Sequence, residues 1–293
     1  MPRRKFFRIQ LPSRALELGR RTLVMGVLNL TPDSFSDGGL YANPAAAVAR
    51  AFEIEHEGAD ILDVGAESTR PGAIPVEPAE QLHRILPVLE RLRGRLKIPV
   101  SVDTSSSEVA EASAILGAEI LNDVTALRGD SRIAEIVRRR KLGLILMHMR
   151  GNPRTMQKKP FARDTIRDVS DSLRRAVAVA REARIKKSQI ILDPGVGFGK
   201  TYVQDYDLLA RLRELVRLDF PLLVGTSRKK FIGGVLGKIS PRERIFGTAA
   251  TVAAAILNGA HIVRVHDVAE MVDVARVADA VLSPRSVATL PKP

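Results

Sequence analysis

Eight times along this chain an apolar, β-prone run passes through a turn into a segment of helical periodicity, and this repeat restricts the fold more than any other feature. The strand-like runs are 23–30, 59–67, 98–103, 119–124, 142–149, 190–195, 221–227 and 261–266. The helical patterns are 44–57, 78–95, 106–117, 132–141, 165–184, 202–218, 241–258 and 269–282. Runs such as LVMGVLNL and LGLILMHM are apolar along their length, the pattern of parallel strands covered on both faces. Gly58, Gly117 and Gly259 stand just past helical patterns, where a left-handed residue ends a helix. Eight such units fit a closed (β/α)8 TIM barrel better than an open doubly wound sheet. Residues 6–20 read as a short hairpin plugging the N-terminal end of that barrel. The expected organisation is one domain: an N-terminal extension over 1–21, the barrel over 22–283 and a tail over 284–293.

In such a barrel the carboxyl ends of the strands open on one face, where active sites are built. The runs end in Asn29, in Asp63 and Glu67, in Asp103, in Asn122 and Asp123, in Met147 and His148, and in Asp193. The last two lead into Ser227-Arg228-Lys229-Lys230 and carry Arg264, His266 and Asp267. A single polar residue at a strand end is ordinarily a cap or a turn former. Polar groups at all eight ends point to a site. Asp103, Asn122 and Asp193 form an acceptor-rich set with one amide, suited to a ligand with several ring N–H or amino donors. Arg70, Lys229, Arg264 and His266 form a cationic set suited to phosphate. Asn29 adds an oxygen that suits Mg2+ held mainly by phosphate oxygens.

The stretch from Ile190 to Lys200, IILDPGVGFGK, carries an acid at the end of an apolar strand and then Gly195, Gly197 and Gly199 at alternate positions. The glycines let backbone approach a flat or phosphorylated ligand, and Phe198 can cover an aromatic face. Gly199-Lys200-Thr201 imitates the end of a P-loop, but the motif's first glycine would fall on Pro194. Two turn-rich segments, 31–41 and 68–76, follow the first two strands and are expected to fold over the site as lids that exclude water.

Composition narrows the function classes. With no Cys there is no thiolate nucleophile, disulfide framework or Cys-ligated metal, and a reducing, cytoplasmic setting is expected. No apolar run is long enough for a membrane span, and the basic N-terminus lacks the apolar core of a secretory signal. The net charge of +13 is spread over helical faces, and nine Phe, three Tyr and no Trp leave few stacking platforms. A solvated surface therefore accounts for the charge better than nucleic acid does.

Several stretches, taken in order, resemble the dihydropteroate synthase family of pterin-binding TIM-barrel enzymes. They are GVLNLTPDSFSDGG (26–39), DVGAESTRPGA (63–73), SVDTS (101–105), LNDV (121–124), LMHMRGNPRTMQ (146–157), LDPGVGFGK (192–200), GTSRKKFIG (225–233) and RVHDV (264–268). The resemblance implies a transferase of folate biosynthesis and a target of sulfonamides. Its reaction would join 6-hydroxymethyl-7,8-dihydropterin diphosphate to p-aminobenzoate, giving 7,8-dihydropteroate and diphosphate. Position by position it implies that Asp103, Asn122, Asp193 and Lys229 hold the pterin, with Met147, Phe198 and Gly225 as pocket walls. Asn29, Arg70, Arg264 and His266 would meet the diphosphate, with Mg2+ at Asn29. Thr69, Arg70, Ser227 and Phe35 would lie on the p-aminobenzoate side, and Asp33 with Phe35 on the first lid. The catalytic set implied is Asp103, Asp193, Lys229, Asn29, Arg264 and His266. A homodimer is expected, with the small-residue faces of the last two helices (for example 248–257) as its candidate interface. A pterin-dependent methyltransferase of the same fold would not need the lid, SRK and RVHDV stretches, and a non-catalytic relative would not need Asn29, Arg264 and His266.

Overall fold

The computed structural model describes residues 4–31, 43–68, 70, 72–152, 154–156, 163–237 and 240–284. A two-stranded antiparallel hairpin, β1 (Phe7–Gln10) and β2 (Ala15–Leu18), precedes eight parallel strands. These are β3 (Leu23–Asn29), β4 (Ile61–Gly65), β5 (Val100–Asp103), β6 (Ile120–Asp123), β7 (Gly143–Met147), β8 (Ile190–Asp193), β9 (Leu223–Val224) and β10 (Ile262–Val265). Each pairs with its neighbours in chain order, and β10 returns to pair with β3. Between β8 and β9 the ring closes through a bridge of Leu192 to Leu222 and the Leu192 N–H donating to the Pro221 carbonyl at 2.9 Å. The result is a closed (β/α)8 barrel.

The covering helices are α1 (Pro44–His56), α2 (Pro78–Leu92), α3 (Ser107–Ile115), α4 (Arg132–Arg140), α5 (Thr165–Glu182), α6 (Tyr202–Ala210), α7 (Lys230–Leu236), α8 (Ile245–Leu257) and α9 (Val268–Leu282). Several starts are written in the sequence. Asn43 accepts from the Ala45 N–H with Pro44 at the first turn, Asp164 caps α5, and Thr201 with Gln204 forms a capping box on α6. Gly58, Gly117 and Gly259 all have φ near +100°, as expected just past a helix end.

Three expectations need correction. The seventh strand is two residues long rather than seven, because Pro221 brings no N–H to the ladder and the chain leaves the sheet after Val224. The segment after it, to which the sequence patterns assign no helix, contains α7. The sixth and seventh helical patterns each include a 3-10 segment, Leu212–Leu218 and Arg242–Arg244.

Side chains that point into the barrel change character along its axis. Near the N-terminal end Met25, Ile61, Ile120, Ile145, Ile191, Leu223 and Ile262 pack with Ile9, Leu11, Leu16 and Leu18 of the hairpin. The hairpin thus seals that end with an apolar plug. Toward the other end the same strands turn Asn29, Asp63, Asp103, Asn122, Asp193 and Arg264 inward, while their alternate residues join the helices in two outer cores. A barrel closed by apolar packing below and polar above has one usable mouth.

Candidate active site

At that mouth the strand register aligns Asp103 with Asn122 and Met147 with Asp193. All four are buried. Burial raises the Asp103 carboxyl to about 7, against the pull of Arg264. Burial raises Asp193 as well, partly offset by Lys229 and by the Gly195 N–H that donates to its Oδ1 at 2.7 Å. Lys229 reaches over from the segment after β9. Its ammonium lies 4.5 Å from the centre of the Phe198 ring and donates to the Val196 carbonyl. Burial lowers it to about 8. Met147 belongs to a small apolar cluster with Val124, Met149 and Met156, against which Phe198 packs. Gly225 stands beside Arg264, where an added Cβ would meet the Arg264 Cβ at 3.6 Å.

The cationic half is tied to carboxylates. Arg264 Nε donates to Asp63 Oδ2 at 2.6 Å and its NH2 to Asp103 Oδ2 at 3.2 Å. Burial opposes the guanidinium's charge, but Asp63 and Asp103 more than offset this and raise its pKa. Ser227 Oγ accepts the His266 backbone N–H at 3.2 Å and lies 3.0 Å from the ring Nδ1. Burial, then Arg264, Arg228, Arg70 and Lys229, lower His266 to about 3, so the ring is a neutral donor at physiological pH. Arg70 is exposed, with its charge felt at His266. Asn29 is half-buried at the end of β3. Thr69, Phe35 and Asp33 lie outside the described residues, as does most of the first lid segment.

Not every polar strand end belongs to the mouth. Asp123 accepts from Thr125 and Leu127 and forms its own turn. Glu67 accepts from the Val76 N–H at 3.1 Å and from Gln81 at 3.4 Å, stapling its own loop. Asp267 pairs with Arg228, and His148 faces Lys200 and Asp168. The convergence of all eight strand ends is therefore partly capping. Conversely, Asp63 has a larger part in the geometry than its place in a strand suggested. Its period-two spacing from Ile61 was the available signal.

The glycine loop also differs from its reading. Gly195 has φ +63°, and a Cβ there would stand 1.8 Å from the His148 carbonyl oxygen. Gly199 has φ +65° and would meet the Arg150 carbonyl oxygen at 2.6 Å. Both are pressed on the neighbouring loop rather than opened toward a ligand. Lys200 is buried beneath, donating to the carbonyls of Gly195 at 2.7 Å and Phe198 at 3.1 Å, with His148 Nδ1 at 2.9 Å. This lysine stitches the loop and does not reach for phosphate as a P-loop lysine does.

A buried acceptor set facing an Arg, a neutral His and a Lys, with an aromatic and methionine wall, defines a barrel enzyme for a nitrogen-rich ring carrying an anionic group. Residues 25–266 match the family described as Pterin binding enzyme. The dihydropteroate synthase of Synechocystis is 47% identical over 262 residues, covering 89% of this chain and 91% of that protein. The Yersinia pestis dihydropteroate synthase, solved with a sulfonamide drug complex, superposes with a TM-score of 0.90 at 40% identity, covering 95% of this chain and 100% of that one. The Burkholderia cenocepacia dihydropteroate synthase, solved with 7,8-dihydropteroate, gives a TM-score of 0.86 at 39% identity, covering 98% and 100%. The chain belongs to the dihydropteroate synthase family and is a transferase.

Proposed function

We propose that the barrel mouth binds 6-hydroxymethyl-7,8-dihydropterin diphosphate and p-aminobenzoate and joins them by an SN1-like displacement. The observation that carries this reading is the pairing of a buried acceptor half with a cationic half inside one strand ring. Asp103, Asn122 and Asp193 accept from the pterin's ring N–H and amino donors, Lys229 donates, and Met147, Phe198 and Gly225 bound the ring. Arg264, His266 and Arg70 meet the diphosphate. Thr69, Ser227 and Phe35 are assigned to the p-aminobenzoate side.

The bond between the exocyclic carbon and the diphosphate oxygen breaks, and its electron pair leaves with diphosphate. The dihydropterin carries the resulting positive charge, favoured by the carboxylates nearby. The aromatic amine, neutral at pH 7, then bonds to the carbon and loses its proton to water or to the departing diphosphate. No strong base is needed, and positioning does much of the work. Mg2+ would add charge neutralisation on the leaving group. Asn29 offers it one amide oxygen, and among the described residues no cluster of three or more His, Cys, Asp or Glu offers a protein cage. The donor set fits an ion ligated chiefly by phosphate oxygens and water, as Mg2+ often is.

We further assign a homodimer. Tyr202 and Val203 of α6, Val235 and Leu236 of α7 and Phe246 of α8 are all exposed, Phe246 by 85%. They adjoin one another, since Tyr202 lies over Gly234 and Leu236 over Gly247. The cytoplasm suits a Cys-free chain in which no described helix is long and apolar enough to cross a membrane.

The decisive assay supplies the dihydropterin diphosphate with Mg2+, with and without p-aminobenzoate, and measures diphosphate and 7,8-dihydropteroate. Equal amounts of the two products, formed only with the amine, are expected. A substrate labelled with oxygen-18 at the bridging oxygen tests the order of steps. Scrambling of label into non-bridging positions without the amine is expected, and scrambling that requires the amine would sink the SN1-like order.

A further inference from the structure

We infer that Asp63 is a positioning residue that decides which end of the Asn122 amide meets the pterin; this rests on the reading of Asn122 as a pterin-holding residue. Asp63 is fully buried on the inner face of β4. Its Oδ2 accepts from Arg264 Nε at 2.6 Å and from Asn122 Nδ2 at 3.3 Å. A carboxylate only accepts, so an amide that faces it must turn its NH2 inward. Asn122 is thereby sorted, with nitrogen toward Asp63 and Oδ1 away from it.

That Oδ1 is buried without a partner. An open acceptor in such a place is costly unless a ligand donor completes it, and the ring N–H and amino groups of a pterin are such donors. Without Asp63 the amide is free to turn over and oppose those donors with its own. Arg264 keeps the sorting carboxylate in place, because its Nε fixes Oδ2 while its NH2 spans to Asp103 at 3.2 Å. One carboxylate oxygen thus joins the pterin half of the mouth to the diphosphate half.

A double-mutant cycle read by the affinity of 6-hydroxymethylpterin, followed through the ligand's own fluorescence, tests this. Asp63→Ala is expected to weaken binding about tenfold in the native background. In the Asn122→Ala background it is expected to cost less than about twofold, because the residue through which it acts has gone. Asp63→Asn keeps an oxygen at the shared position and is expected to bind within about threefold of native. Equal losses from Asp63→Ala in both backgrounds, or no loss in the native one, overturn the inference. If Asp63→Ala does not fold, the Asn variant decides: a loss of about tenfold there would show that charge matters rather than the shared acceptor, and would also overturn it. Native protein that fails to bind 6-hydroxymethylpterin would defeat the pterin reading and this inference with it. Native binding with unaltered Asp63→Ala binding defeats the inference alone.

Discussion

Asp103 sits where burial and an ion pair pull in opposite directions. Burial wins, and its carboxyl rises from 3.8 to about 7 although Arg264 NH2 is 3.2 Å away. Between these values the folded protein holds a proton that the unfolded chain has released. The group's contribution to stability is therefore greatest below pH 3.8 and falls as pH rises toward about 7. Asp103→Asn should flatten that part of the stability profile, measured by denaturant unfolding at a series of pH values. An unchanged slope would show that Arg264 holds Asp103 ionised throughout. At this scale the sequence exposed the residue types but not their partners. Asp103, Asp123 and Asp193 are all acids at strand ends, yet Asp123 is consumed by Thr125 and Leu127. Which acid turns inward depends on strand register, which one chain position does not reveal.

The decisive element is the loop from Gly195 to Lys200, held between its own buried lysine and the loop after β7. Its glycines are required by contact as well as by backbone angle. Gly195→Ala forces a Cβ into the His148 carbonyl at φ +63° and should cost roughly 3 kcal/mol. Gly94→Ala, at φ +69° with nothing within 4 Å of the added Cβ, should cost only about 1 kcal/mol. Denaturant midpoints of the two variants check the contrast, and equal losses would mean that backbone angle alone governs both. The three glycines were plain in the sequence, and so was the acid before them. Their purpose was not, because His148 and Arg150 lie 47 and 49 positions from their contacts in Gly195 and Gly199 and meet them only in the folded barrel.

For the whole molecule, the strand ring has an apolar plug at one end and the polar mouth at the other. The outer surface adds an exposed apolar patch of Tyr202, Val203, Val235, Leu236 and Phe246, on which the dimer proposal rests. Phe246→Glu should therefore give a monomer with unchanged helix content. Analytical ultracentrifugation with circular dichroism checks this, and a native protein sedimenting as a monomer would end the dimer proposal. The small-residue stripe read as the interface is only partly available. Thr248, Thr251, Val252, Ala255 and Ile256 are buried against the barrel, which leaves Phe246 at the start of α8 as the outward anchor.

By itself the sequence determined the barrel, its hairpin and most of the residues that meet at its mouth. Apolar periodicity, glycine stops and polar strand ends are local properties, and eight repeats of one unit allow few closures. Only the tertiary structure decided how those residues are paired. Arg264 bridges Asp63 and Asp103 across 201 and 161 positions, and Asp63 orients Asn122 across 59. Bonds of that span come from closing the ring, where the inward side chains of separate strands are brought within hydrogen-bond distance.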